Sequence, residues 1–251
     1  MKIGLIGFGR TGKAVASVLM SEEAFTLEWV LRRNPTGNKE LPFQYTDTSL
    51  KTPKLIFSKE NIEVEALLDK HPVDCIVDFS STEGIYYYGE AAAKRKIKIV
   101  SAISHYGPHE MELLKSLSEK TAVFWSPNIT VGVNFLLLAS KCLKRIAPYA
   151  DIEILEEHFK NKTGVSGTAL KIADALDLEK DSISSIRAGN IVGKHEVIFG
   201  FPYQTVRLTH ESISREAFGK GIVFVLEHIA EHNRGFINFE DLLMPYFLFE
   251  R

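Results

Sequence analysis

The sequence predicts an α/β chain, a doubly wound parallel sheet with a second, smaller α+β domain. Three observations carry that prediction. Gly7-Phe8-Gly9-Arg10-Thr11-Gly12 follows a short apolar run and opens a helical pattern. Two later apolar runs, VDCIVDFSSTEG (73–84) and KIKIVSAIS (96–104), end in small polar residues, as buried parallel strands with functional ends do. After residue 150 the pattern changes to the alternating stretches DIEILEEHF, DSISSIRAGNIVGKHEVIFGFP and YQTVRLTHESIS, with one evident helix between the first two.

In chain order, the first strand runs from Ile3 to Ile6, and the helix after the glycine turn puts Ala14, Val15, Val18 and Leu19 on one face. Placed between a strand and a helix, the three glycines have separate tasks. Gly7 allows the tight turn, Gly9 lets the backbone approach a pyrophosphate, Gly12 lets helix and strand pack, and the helix N-terminus favours phosphate. This is the Rossmann arrangement; the alternative is an ordinary Gly-rich βα turn. The second strand, FTLEWVLRR, is expected to end near Leu31, where an NAD-preferring fold carries an acidic residue for the ribose 2′-hydroxyl. Arg32 and Arg33 stand there instead and suit a 2′-phosphate, unless they are the incidental charges of a solvated turn. NADPH is therefore the expected cofactor, with NADH as the second choice.

The strand of 73–79 leads through Phe79 and Ser80 into the helical pattern GIYYYGEAAAKRK, and the next strand ends at Ser101-Ala102. TAVFWSPN supplies a strand through Trp125, followed by Ser126, a break at Pro127, Asn128, and a long helix from about Val133. The C-terminal ends of parallel strands face the ligand in such sheets. Phe79, Ser80, Ser101, Ala102, Ser126 and Asn128 thus join Gly7, Phe8, Gly9, Arg10, Thr11, Gly12, Arg32 and Arg33 as expected cofactor-binding positions. Beyond the alternating strands, REAFGKGIVFVLEHIAEH returns to helical spacing. The expected division is a dinucleotide-binding domain of residues 1–127 and 217–251 and a substrate-binding and oligomerisation domain of residues 128–216.

EILEEHFKNKTGVSGTALKIADAL (153–176) sets His158 and Lys162 just ahead of a helix that starts near Ser166-Gly167-Thr168. The first N–H groups of a helix lack internal partners and its dipole favours an anion there. An imidazole, which titrates near neutral pH, and an ammonium beside that anion suit proton delivery and charge stabilisation. The alternative is a solvated strand end followed by an ordinary Ser/Thr cap.

Composition narrows the classes. The chain has 251 residues, 45% hydrophobic and 25% charged, with a formal net charge of −2, an ordinary globular balance. Its basic clusters, Arg32-Arg33 and Lys94-Arg95-Lys96, are short, so no nucleic acid is expected. The apolar start is too short for a signal peptide or a spanning helix, so a cytoplasmic protein without a membrane partner is expected. Cys75 and Cys142 lack metal-ligand spacing and are expected to be buried small hydrophobes. His105 and His109 are expected on an exposed loop, and His195 and His210 as hydrogen-bonded structural groups. No metal site or nucleophilic triad stands out.

The stretch around His158 resembles the dihydrodipicolinate reductase signature, Glu-x-His-His followed by Lys, Asp-x-Pro and Ser-Gly-Thr-Ala. The blocks GFGRTG, VDFSSTEG, SPNITVGVN, IRAGNIVGKHEVIF and LTHESISREAFGKG, spread over residues 7–221, are similar to that family as well. The resemblance implies a homotetramer of two-domain subunits. Each would reduce 4-hydroxy-tetrahydrodipicolinate with NAD(P)H in lysine and diaminopimelate synthesis, and the dicarboxylate is the expected small-molecule partner. It implies His158 as proton donor, Lys162 as electrostatic support, and Ser166, Gly167 and Thr168 as the loop holding a substrate carboxylate.

Four departures from the family pattern stand out. Phe159 occupies the place of the second histidine, next to the substrate. Thr163-Gly164-Val165 is one residue short and lacks the Asp and Pro. Ser101-Ala102-Ile103-Ser104 replaces Gly-Thr-Thr-Gly beside the nicotinamide, and Lys194 stands where an acidic residue is common. Three functions stay open: the family reductase, a reductase of a related cyclic imine or carboxylate, and an NADPH-binding sensor without turnover.

Overall fold

Continuous apolar runs that end in polar residues need cover on both faces, and the chain supplies it with intervening helices. The computed structural model describes residues 1–33 and 55–248. Strands β1 (Lys2–Ile6), β2 (Thr26–Arg32), β3 (Leu55–Ser58), β4 (Cys75–Asp78), β5 (Lys98–Ser101), β6 (Ala122–Trp125) and β11 (Gly235–Ile237) form one parallel sheet in the order β11-β6-β5-β4-β1-β2-β3. Helices α1 (Arg10–Ser21), α2 (Val64–Lys70), α3 (Gly84–Lys94), α4 (Pro108–Ser118), α7 (Glu216–Ile229) and α8 (Phe239–Phe247) accompany it. Order reverses between β1 and β4, the switch point at which doubly wound sheets open a crevice at their strand ends.

This sheet belongs to a compact unit of Met1–Ile129 and Phe218–Arg251, and a second unit comprises Thr130–Ala217. The first core is built around Trp29, Leu31, Ile76, Ile85, Tyr88, Ile99 and Val123. On α1, Ala14 is only half-buried, whereas Gly12, Val15, Ala16, Val18, Leu19 and Met20 are buried. The wider face has a cause in α7, whose Gly219 sits so close to Val18 that a Cβ there would stand 2.6 Å from it. β3 and β11 have only four and three residues, too few for a periodic signal.

The second unit holds α5 (Val131–Ile146), α6 (Gly167–Ala175) and a four-stranded sheet in the order β10-β9-β7-β8. Its strands are β7 (Asp151–His158), β8 (Ile183–Arg187), β9 (Lys194–Phe201) and β10 (Gln204–Glu211). β9 runs antiparallel to both β7 and β10, while β8 lies parallel to β7. Leu136 of α5 and Ala169, Ile172 and Ala173 of α6 pack on Ile154, Val197 and Phe199. Strand alternation then puts Glu156, His158, Ser185, Arg187, His195 and His210 on that same helix-covered face.

Several expectations need correction. α5 begins at Val131, two residues earlier than expected, because Thr130 already occupies the extended N-cap position. Cys75 is buried, but Cys142 is exposed on α5, where an amphipathic helix turns part of its surface to water. His109 is exposed, yet lies in the first turn of α4 and not in a loop, since Pro108 starts that helix. Among the described residues no helix is long and apolar enough to cross a membrane.

Candidate active site

In the first unit a cleft of about 780 Å³ opens at the strand ends. It is lined by Gly7, Phe8, Gly9, Arg32, Arg33, Phe79 and Ser80 from the expected set, and also by Lys59, Glu60, Ser81, Glu83, Gly84 and Tyr87. Arg10, Thr11 and Gly12 form the first turn of α1 beside it. The three glycines differ in what holds them. Gly7 has φ +92°, and a Cβ there would stand 2.5 Å from the Phe79 backbone; at Gly12 a Cβ would stand 2.0 Å from the Gly7 carbonyl oxygen. At Gly9 a Cβ would meet nothing within 4 Å. The protein's own packing therefore requires glycine at 7 and 12, while position 9 is bare toward open space, as close approach by a ligand needs.

Lys59 reaches the cleft because β3 pairs with β2 in parallel, setting Ser58 beside Arg32, and the Lys59 N–H donates to the Arg32 carbonyl at 2.9 Å. Its ammonium lies 5.0 Å from the centre of the Tyr87 ring. Sequence reasoning missed it because β3 gives almost no signal of its own.

Below the cleft, fully buried Asp78 shapes the turn after β4. Its Oδ1 accepts from the Ser80 N–H at 2.8 Å and the Ser80 hydroxyl at 2.6 Å, and its Oδ2 accepts from the Tyr88 hydroxyl at 3.0 Å. Burial pushes its carboxyl up to about 6, against the opposing pull of the Ser80 and Tyr88 hydrogen bonds. Ser101 is buried and shares a 2.8 Å hydrogen bond with Tyr106, while the Ala102 N–H donates to the Asp78 carbonyl. The Ser126 hydroxyl donates to the Asn128 carbonyl at 2.5 Å. None of Ser101, Ala102, Ser126 and Asn128 lines the cleft.

In the second unit the central group is Glu156, wholly buried and two residues before His158 on β7. Its Oε2 lies 2.5 Å from His158 Nδ1 and accepts from Arg187 Nη1 at 2.9 Å. Its Oε1 accepts from the Ser185 hydroxyl at 2.6 Å, from the Ser166 N–H at 3.2 Å and from Arg187 Nη2. Burial alone would raise this carboxyl, but Arg187, Ser185, His158 and the Ser166 N–H outweigh it and hold it down at about 2. Arg187 also donates to the carbonyls of Lys162 and Gly164, tying down the loop that carries the lysine.

Ser166 is the N-cap residue of α6, and Gly167 and Thr168 are its first helical residues, so the expected loop is a helix start. The Ser166 hydroxyl does not cap the helix; it shares a 2.8 Å hydrogen bond with His195 Nε2. Burial, with the nearby His158 and His210 charges adding to it, lowers His195 to about 4. At Gly167, as at Gly9, an added Cβ would meet nothing within 4 Å. The His158 and His195 rings stand edge to face at 5.3 Å, and a Cβ at Gly193 would lie 3.1 Å from His158 Nε2. His210 makes no hydrogen bond of the expected kind: its ring packs on Gly132 and its Nδ1 is buried without a partner. Phe159 is 43% exposed at the end of β7. Lys194, the charge-reversed position, lies directly across from Glu157 and pairs with it at 2.7 Å.

One family's two models cover nearly all of the chain. Residues 1–129 match "Dihydrodipicolinate reductase, N-terminus" and residues 130–243 match "Dihydrodipicolinate reductase, C-terminus". The 4-hydroxy-tetrahydrodipicolinate reductase of Buchnera aphidicola subsp. Schizaphis graminum is 30% identical over 213 residues, 74% of this chain and 78% of that protein. The enzyme of the same name from Caldanaerobacter subterraneus subsp. tengcongensis is 32% identical over 196 residues, 69% of this chain and 78% of that one. A dipicolinate-bound dihydrodipicolinate reductase from Paenisporosarcina sp. TG-14 shares the fold, with a TM-score of 0.79 at 20% identity over 96% of this chain and 98% of that one.

The buried Asp78 gives a signed pH dependence. A carboxyl raised in the folded state binds its proton more tightly there, so its stabilising effect is full below the unfolded value and is lost as pH rises to about 6. Asp78→Asn removes this loss. Relative to the unsubstituted chain, its unfolding free energy is expected to gain ~2–3 kcal/mol between pH 4 and pH 7, followed by urea denaturation. A difference that stays flat over that range would show that Asp78 does not titrate there.

Proposed function

From the dihydrodipicolinate reductase family, to which the chain belongs, we infer its activity: NAD(P)H-dependent reduction of 4-hydroxy-tetrahydrodipicolinate to tetrahydrodipicolinate, in lysine and diaminopimelate biosynthesis. The observation that carries the reading is a buried imidazole anchored on an ionised carboxylate, next to a helix start that is bare of side chains at Gly167.

The first unit fits the cofactor in three respects: a cleft at the switch point, a glycine that the packing leaves bare, and three cations, Arg32, Arg33 and Lys59, at the rim. Gly9 and the first turn of α1, Arg10 to Gly12, face a pyrophosphate with the N-terminus of the helix, and the three cations favour a 2′-phosphate. NADPH, when bound, supplies a hydride. His158 gives a proton from Nε2, and the 4-hydroxyl leaves the ring as water, so that the sum is two electrons and two protons gained and one water lost. The N-terminus of α6, with Ser166, Gly167 and Thr168, holds one substrate carboxylate, and Lys162 screens the other and the charge that develops on the ring. Phe159 adds an apolar contact where the family has a second imidazole.

We also assign residues 128–216 to substrate binding and to assembly of a cytoplasmic homotetramer. What supports assembly is the sheet face turned away from α5 and α6, which carries Leu155, Ile186 and Ile198 between the ion pairs Lys194–Glu157 and Arg207–Glu196. Sedimentation is expected to give four times the chain mass, and Leu155→Arg is expected to reduce it; a monomeric wild-type chain would exclude the assembly.

Calorimetric titration is expected to give tighter binding of NADPH than of NADH, and Lys59→Ala to narrow the ratio by about tenfold, the scale of one charge-assisted contact. Equal affinities in the unsubstituted protein would refute the assignment of the three cations.

The activity itself is tested by NADPH oxidation on adding freshly generated 4-hydroxy-tetrahydrodipicolinate. His158→Ala is expected to lower kcat and kcat/KM together by about 10²–10⁴-fold with KM nearly unchanged, whereas Thr168→Ala raises KM. Neither should change NADPH affinity. Background-level oxidation by the wild-type chain with NADPH bound would leave the non-catalytic binding role or a different ring substrate.

A further inference from the structure

The five donors around Glu156 link the two parts of the proposed substrate site. Resting on the reading that His158 supplies the proton, we propose that Glu156 is a positioning residue. It fixes the Nδ1–H form of His158 and sets the start of α6 relative to that ring, with Arg187 as its counterion.

The geometry leaves little choice of proton position. The Ser166 N–H and both Arg187 groups can only donate, so Glu156 must be the acceptor for them on both oxygens. His158 Nδ1 faces Oε2 at 2.5 Å, and an acceptor there requires Nδ1 to carry hydrogen. Nε2 is then the nitrogen left to deliver a proton, and it is the atom beside Gly193, a residue with no side chain to cover it. His195 makes no hydrogen bond to Glu156: its Nε2 is engaged by the Ser166 hydroxyl and its Nδ1 is buried without a partner. Through its N–H, Ser166 hangs on the same carboxylate, so the imidazole and the first turn of α6 share one anchor.

An amide cannot replace that anchor. With its nitrogen at the Oε2 place, the side chain introduced by Glu156→Gln would point N–H groups at Arg187 Nη1 and at His158 Nδ1, driving the ring to the Nε2–H form and disfavouring its doubly protonated state. With its nitrogen at the Oε1 place, it would face the Ser166 N–H and Arg187 Nη2.

Two measurements test this. In the wild-type protein, ¹⁵N chemical shifts of the His158 ring, assigned by their loss in His158→Ala, are expected to show a protonated Nδ1 throughout a pH titration and a proton exchanging at Nε2. A pyridine-type Nδ1 would overturn the proposal, and this readout does not depend on any variant folding. In the oxidation assay, Glu156→Gln is expected to lower kcat by about 10²–10⁴-fold with NADPH affinity unchanged, the scale of misplacing a catalytic imidazole. The double variant with His158→Ala should be no slower than His158→Ala alone, as for residues acting as one unit. Effects that multiply, or full turnover in Glu156→Gln, would overturn the proposal while His158 keeps its role. Full turnover in His158→Ala would instead remove the proton assignment on which the proposal rests.

Discussion

A carboxylate with no exposure to water must be neutralised where it stands, and in the second unit that requirement organises the residues around Glu156. Glu156 sits two residues before the end of β7, in a sheet whose inner face is otherwise packed by α6 and α5. Leaving such a charge unpaired costs several kcal/mol, so its surroundings are bound to supply donors from several elements. They come from β8 through Ser185 and Arg187, from the start of α6 through Ser166, and from the same strand through His158. The His158 imidazole, a helix N-terminus and the loop bearing Lys162 are thus held by one buried charge and its counterion.

The first unit solves a different problem, which is to leave a surface empty. Gly7 and Gly12 are glycines because the turn and the helix contact exclude a side chain, and Asp78 keeps the neighbouring turn in place through Ser80. Gly9 has no such constraint from the protein. Its bareness fits a ligand, and the cleft next to it gathers cations from two adjacent strands.

The departures from the family pattern divide in the same way. Lys194 is balanced by Glu157 directly across the ladder, on the sheet face opposite the site, so that change is settled locally. Ser101 is buried in a hydrogen bond with Tyr106, a partner that a glycine would lack. Phe159, in contrast, is partly exposed at the end of β7.

The sequence by itself determined the sheet and its nucleotide turn, because strand–glycine–helix order and apolar runs are local properties with a fixed period. It also placed His158, Lys162 and Ser166 ahead of a helix, and it identified Arg32 and Arg33 at the end of β2. It did not show Glu156, Arg187 and His195 as one network with His158. Those residues lie on three strands, 31 residues apart between Glu156 and Arg187 alone, and only the register of β7 with β8 and β9 brings them to one face. Lys59 was hidden for the same reason, since its strand is too short to announce itself and its place beside Arg32 comes from pairing. The fold's outline follows from patterns along the chain; which charges meet, and which glycine is left bare, is decided by packing between segments that are distant in sequence.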